Sequence, residues 1–216
     1  DFYFSEYGTV TNCNFISNNG TSTSFADSAY GGAIYFKKSG NVANCNFTNN
    51  TLNGVNIGGG AIYFGNGDET CDVTNCNFIS NQVHAADVRP STVSAGYGGA
   101  IFCNGDEATI FNAINCTFIN NRIDYGPGSA IYCKNCWWCT VEYCIFISNF
   151  ASYGAAIGSN YECDYLDVKY SIFLNNQATS GVHNIDWDWD SDHSSVNGYS
   201  WFGNNLIPKF TIRSQP

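Results

Sequence analysis

The sequence predicts an all-β chain wound as a parallel β-helix, a solenoid of about six rungs. Two alternating phrases carry that expectation. The first is glycine-alanine-isoleucine: YGGAIYF at Tyr30–Phe36, GGGAIYF at Gly58–Phe64, YGGAIFC at Tyr97–Cys103 and GSAIYC at Gly128–Cys133. The second is a Phe followed three residues later by Asn, at Phe15–Asn18, Phe47–Asn50, Phe78–Asn81, Phe118–Asn121, Phe146–Asn149 and Phe173–Asn176. Trp201–Asn205 is a degenerate seventh copy, and steps between the first six Phe are 32, 31, 40, 28 and 27 residues. Active sites are written once, so this repetition describes scaffold.

Taken in order, each element follows from its pattern. Phe2–Phe15 aligns residue for residue with Ile34–Phe47, so the sequence opens in mid-rung, without the first Gly-Gly-Ala. An unfinished rung implies either preceding chain or another molecule stacked on the open edge. Within each copy the period is two, which means strand. Cys13, Cys45, Cys76, Cys116 and Cys144, then Ser171, share the face of the Phe two residues on. In the glycine phrase the Ile and the final Phe or Cys share one face and the Tyr takes the other. Three strands and two turns per rung are expected, with no helical periodicity anywhere. The Asn that ends the second phrase fits a tight bend in the left-handed region, its amide bonding the rungs above and below. The paired Gly returns the chain from variable insertions, longest at Asn19–Ala29 and Gln82–Ala95, whose stacked loops offer a binding face. Residues 184–216 read as a Trp-rich closing rung.

The 216 residues therefore form a single elongated domain, expected to be a segment of, or a stacking unit in, something larger. A net charge of −10 with only eight Lys and Arg makes nucleic acid and anionic membranes poor partners. No apolar run is long enough to insert in a bilayer. Eleven Cys and no Met, with many Asn and Thr, favour an extracellular or cell-surface address. N-glycosylation triplets start at Asn19, Asn46, Asn49 and Asn115.

The two phrases resemble the GGAI and FxxN repeats of chlamydial polymorphic outer membrane proteins and of methanogen adhesin-like proteins, with related surface proteins in some protists. The likeness runs from Phe2 to about Asn205, and GYSWFGNNLIPKF at Gly198–Phe210 is similar to terminal rungs of the archaeal type. It implies a right-handed, single-stranded parallel β-helix, a surface location and roles in adhesion or display. It carries no shared catalytic residues.

Two stretches hold possible chemistry. Cys133, Cys136 and Cys139 have the C-x-x-C spacing of zinc or iron–sulfur sites. Cys133, Cys139 and Cys144 also fit core ladders of small apolar residues, leaving Cys136 in the turn. A local disulfide involving Cys136, with Cys163 as a candidate partner, is the reading preferred over a metal. In IDWDWDSDH, Ile185–His193, the Trp and Asp residues take opposite faces. Its plain reading is a closing rung with Asp in water; its rivals are carbohydrate contact and a calcium site at Asp186, Asp188, Asp190 and Asp192. That set lacks the glycine and distal Glu of an EF-hand loop, and no other cofactor is expected.

A glycosidase needs two carboxylates across a cleft. Asp186 and Asp188, near His183 and His193, form the one pair on offer, without clustered Arg or Lys. His84 stands alone in the longest loop. The expectation is therefore a non-catalytic structural or adhesive module, an adhesin-like surface protein or fibre subunit. Its partners are adjacent β-helix segments end to end and host-cell or matrix glycans or proteins. The alternative is a carbohydrate-active β-helix enzyme, a polysaccharide lyase or glycoside hydrolase, or a carbohydrate-binding module, using residues 185–193.

Overall fold

The computed structural model describes residues 2–23, 28–67, 69–85, 96–152, 154, 156–159, 163–179, 185–186, 195–197 and 201–203. Among them there is no helix, and so none long and apolar enough to cross a membrane. Three parallel sheets of seven strands and a fourth of six wrap one core, so the chain passes six times through all four. The fold is the expected parallel β-solenoid.

Register is like on like. Phe2, Ile34, Ile62, Ile101, Ile131, Ile157 and Ile185 pair in succession along the first sheet. Phe15, Phe47, Phe78, Phe118, Phe146, Phe173 and Phe202 do the same along the third. From Phe15 to Phe173 the rings stack 4.6 to 4.9 Å apart, within 6° of parallel. That spacing is the strand separation itself. Aromatic pairs otherwise favour offset or edge-on contacts, so register dictates the stacking and burial supplies the stability.

The bends fall at fixed positions. Asn12, Asn44, Asn75, Asn115, Tyr143 and Tyr170 have φ of 49–55° between the second and third sheets. Ser17, Asn49, Ser80, Asn120, Ser148 and Asn175 have φ of 54–56° between the third and fourth. The left-handed residue at this second bend is thus the one before the repeated Asn, which instead turns inward. Asn50, Asn81, Asn121 and Asn149 are fully buried. From Asn18 to Asn149, each Nδ2 donates to the next rung's Asn Oδ1 at 2.7–3.0 Å. From Asn50 onward, Nδ2 also donates to the preceding rung's Phe carbonyl at 3.0–3.1 Å. The Oδ1 accepts the preceding Asn backbone N–H as well. Every polar atom of this buried column is satisfied, as burial demands.

The Gly pair has two separate causes. Gly31, Gly59, Gly98 and Gly128 hold φ of 58–70°. A Cβ on Gly32, Gly60 or Gly99 would lie 2.1–2.2 Å from the next rung's carbonyl oxygen.

The segments between the phrases are more ordered than the sequence predicts. Asn19–Thr21, Thr51–Gly54, Gln82–Ala85, Arg122–Ile123, Phe150–Ala151 and Gln177–Ala178 build the six-stranded fourth sheet. Ala29–Tyr30, Ile57–Gly58 and Gly96–Tyr97 pair as a short fifth sheet. Leu52, Ile57, Val83, Ala85, Ile123 and Ala151 form a second small core there. Tyr30 and Tyr97 also roof the outer face of the first sheet, so Tyr63, Phe102 and Tyr132 are buried. Strands at 185–186, 195–197 and 201–203 extend the first three sheets.

Replacing Asn121 with Ala removes four buried hydrogen bonds: two that its Oδ1 accepts from the Asn81 backbone N–H and Nδ2, and two that its Nδ2 donates to the Phe78 carbonyl and the Asn149 Oδ1. Asn121→Ala is expected to lower stability by about 3 kcal/mol or more, read as a shift in the guanidinium midpoint. Asn44→Ala, at an exposed left-handed bend, is expected to lose about 1 kcal/mol. Equal losses would show that the buried column is not the stronger restraint.

Candidate functional site

Of the predicted calcium ligands, Asp188, Asp190 and Asp192 lie outside the described residues. Asp186 is on the seventh strand of the first sheet, paired with Gly158. The four glycosylation candidates Asn19, Asn46, Asn49 and Asn115 are all exposed. Three belong to outer amide ladders: Asn53 donates to Asn19 at 2.8 Å, Asn46 to Asn14 at 2.7 Å and Asn115 to Asn75 at 2.7 Å. Asn49 occupies a left-handed bend.

All eleven cysteines are free thiols, ten buried and Cys13 half-buried. Cys45, Cys76, Cys116 and Cys144 occupy the expected ladder, each donating to the carbonyl two residues before it at 3.2–3.3 Å. Burial raises the Cys45 thiol to about 11, so it stays neutral; the ladder acts as small apolar packing.

The other thiols behave differently. Cys133 ends the inward row of the strand Ile131–Lys134, and Cys139 opens that of Trp138–Glu142. Asn135 between them takes φ 57°. Cys136, which the sequence places in a turn, is fully buried in the main core. The sulfurs of Cys133, Cys136 and Cys139 lie within 4.8 Å of one another, the one His/Cys/Asp/Glu donor cluster of three or more among the described residues. Cys136 Sγ is 3.6 Å from Cys103 Sγ of the preceding rung, and its backbone N–H donates to Cys163 Sγ of the following rung at 3.4 Å. Hydrogen bonding with Cys103, Cys133, Cys139 and Cys163 holds the Cys136 thiol well below its ordinary range, against the opposing effect of burial. The disulfide candidates Cys136 and Cys163 are thus neighbours, as two members of a five-thiol group.

A second feature lies on the outside of the same rungs. Trp138 stacks on Tyr165 at 4.8 Å and 17°, and Tyr143 on Tyr170 at 5.0 Å and 11°. Trp137 stands across the first pair, at 79° to Trp138 and 85° to Tyr165. Trp137, Trp138, Tyr143 and Tyr170 are all exposed. The strand between the two stacks separates them by about 16 Å at ~3.3 Å per residue. Asp167, ion-paired with Lys169, and Glu142 lie on the outward face between them.

His84, isolated in sequence, is paired: its Nδ1 meets Asp124 at 2.7 Å, and Arg122 Nε donates to the other Asp124 oxygen at 2.7 Å. Burial opposes ionisation of Asp124, but these two partners outweigh it and lower its pKa from 3.8. No family model matches the sequence, and no curated protein or solved structure matches it.

Two outcomes check this geometry. A thiol reagent should label about one cysteine in the native protein, Cys13, and all eleven after denaturation; fewer after denaturation would mean disulfides. A carboxyl lowered by its partners stabilises above pH 3.8 and loses that contribution as pH falls through the folded value. Asp124→Asn should therefore cost under about 1 kcal/mol at neutral pH and nothing at the acid limit, in paired denaturation curves.

Proposed function

We propose that this chain is a non-catalytic structural and adhesive module of an extracellular surface protein, of adhesin-like type. Its adhesive contact is the aromatic face of the fifth and sixth rungs. The exposed Trp137, Trp138, Tyr143 and Tyr170, with the half-buried Tyr165, carry that reading. Rings stacked on a hydrogen-bonded sheet are already ordered, so little side-chain entropy is lost when a partner covers them. Each combines an apolar body with a polar tip, which suits both a sugar's hydroxyls and its C–H face. Host-cell or matrix glycans are the partner class. Four exposed glycosylation triplets support the extracellular address. In-register ladders also accept another rung, so end-to-end stacking on adjacent β-helix segments belongs to the same proposal.

The test is binding of the purified chain to a glycan array and to immobilised matrix. Trp137→Ala with Trp138→Ala should weaken the best binding tenfold or more, about 1.4 kcal/mol, without moving the melting temperature. Binding that survives this change but is lost on deletion of 82–95 would move the contact to the loop side. Turnover of any polysaccharide would overturn the non-catalytic reading.

A further inference from the structure

The sulfur inside the fifth rung is unused by any surface role, and packing alone does not call for it. At the corner between the first and second sheets, the first three rungs place Phe4, Phe36 and Phe64, stacked 4.9 and 5.0 Å apart. The same register holds Cys103 in the fourth rung, Cys133 in the fifth and Ser159 in the sixth. A smaller side chain thus stands in place of a phenyl ring, a gap in the ladder, and Cys136, Cys139 and Cys163 are buried in the same core. An aliphatic side chain would fill such a gap without chemistry. Here the sequence writes two overlapping C-x-x-C pairs instead.

The distances suit one ion. Zinc holds thiolates at about 2.3 Å in a tetrahedron, which puts the sulfurs roughly 3.8 Å apart. The Cys133, Cys136 and Cys139 sulfurs, within 4.8 Å of one another, reach that spacing by small side-chain movements. For the fourth position there are two neighbours. Cys103, in the preceding rung, lies with its sulfur 3.6 Å from that of Cys136. Cys163 belongs to the following rung and is buried in the same core. Its sulfur also accepts the Cys136 backbone N–H, the type of contact that supports a metal-bound thiolate. We propose that Cys133, Cys136, Cys139 and Cys163 form a buried structural zinc site that clamps the fifth rung to the sixth. An all-sulfur tetrahedral set selects zinc or iron, and the stability order of divalent ions places zinc above iron. Cys136, shared by both C-x-x-C pairs, supplies the first anchor. The remaining thiols release their protons as the ion binds. Full burial means the ion enters as these rungs form, so binding adds to folding stability.

The full chain is to be produced in zinc-supplemented medium, purified without chelator and measured by native mass spectrometry and elemental analysis. One zinc per chain is expected. Cobalt(II), exchanged in during refolding, should show sulfur-to-metal charge transfer in the near ultraviolet and the visible bands of a tetrahedral site. Cys136→Ser should lower zinc content at least tenfold, whereas Cys45→Ser, in the packing ladder, should leave it unchanged. The cobalt spectrum needs no variant, so it stands even where Cys136→Ser fails to fold. Eleven free thiols with no metal after refolding in excess zinc would overturn the site. So would a mass two hydrogens lighter with Cys136 and Cys163 cross-linked.

Discussion

Every rung must satisfy its backbone on the rung above and the rung below, and this in-register hydrogen bonding is the constraint from which the other features follow. Two adjacent rungs can pair along their length only if they share one trace. The left-handed residues therefore recur at the same two bends, and Phe falls on Phe and Ile on Ile. The buried Asn column tightens the requirement, because an amide inside the core must find partners in both directions. A rung that lost its Asn would leave a backbone N–H of the preceding rung unpaired and take one bond from the amide of the following rung. Length variation is consequently confined to corners where one rung need not follow the next: mainly between the fourth sheet and the returning glycine, and also between the first and second sheets, where Phe36 precedes Gly40 by four residues but Cys103 precedes Phe111 by eight.

Departures from the repeat acquire meaning against that uniformity, and they gather in the fifth and sixth rungs. The bend that holds Asn in the first four rungs holds Tyr143 and Tyr170 in these two, at φ 53° and 49°. A bulky side chain in the left-handed region is disfavoured by roughly 1–2 kcal/mol, so local preference does not explain the exchange. The same two rungs replace Thr70 and Ile110 in the ladder with Trp138 and Tyr165. They also bring Cys136 and Cys163 into the core. Where local choices disagree with a strong consensus, function is the ordinary reason.

The fold was legible because seven copies state the same pattern and each corrects ambiguity in the others. Strand parity alone placed Cys45 and Phe47 inside and Asn46 outside. What escaped has physical causes. Strands such as Arg122–Ile123 and Phe150–Ala151 are two residues long, too short to show alternation. The roof over Tyr63 and Tyr132 is built from distant segments that the sequence leaves unconnected. At the second bend, Asn is both a good left-handed residue and a good ladder amide, so pattern could not say which of two neighbours took which role. Cys136 was misplaced because parity counts continuous strand, whereas the left-handed Asn135 breaks it and turns the next side chain inward.

The outer aromatic face and the inner thiols are parts of one strand. Along Trp138–Glu142, Cys139 and Val141 point to the core while Trp138, Thr140 and Glu142 point outward. Trp137 and Trp138 are flanked by Cys136 and Cys139, so whatever fixes those two sulfurs also fixes the backbone that carries the indoles. Cys163 lies two residues before Tyr165 and extends the same restraint to the partner ring of Trp138. The remaining stack, Tyr143 on Tyr170, is held by the paired bends and has no sulfur beneath it except Cys144 of the packing ladder. A metal in the core would therefore act unequally on the face, ordering the Trp138 end and leaving the Tyr143 end to the sheet alone.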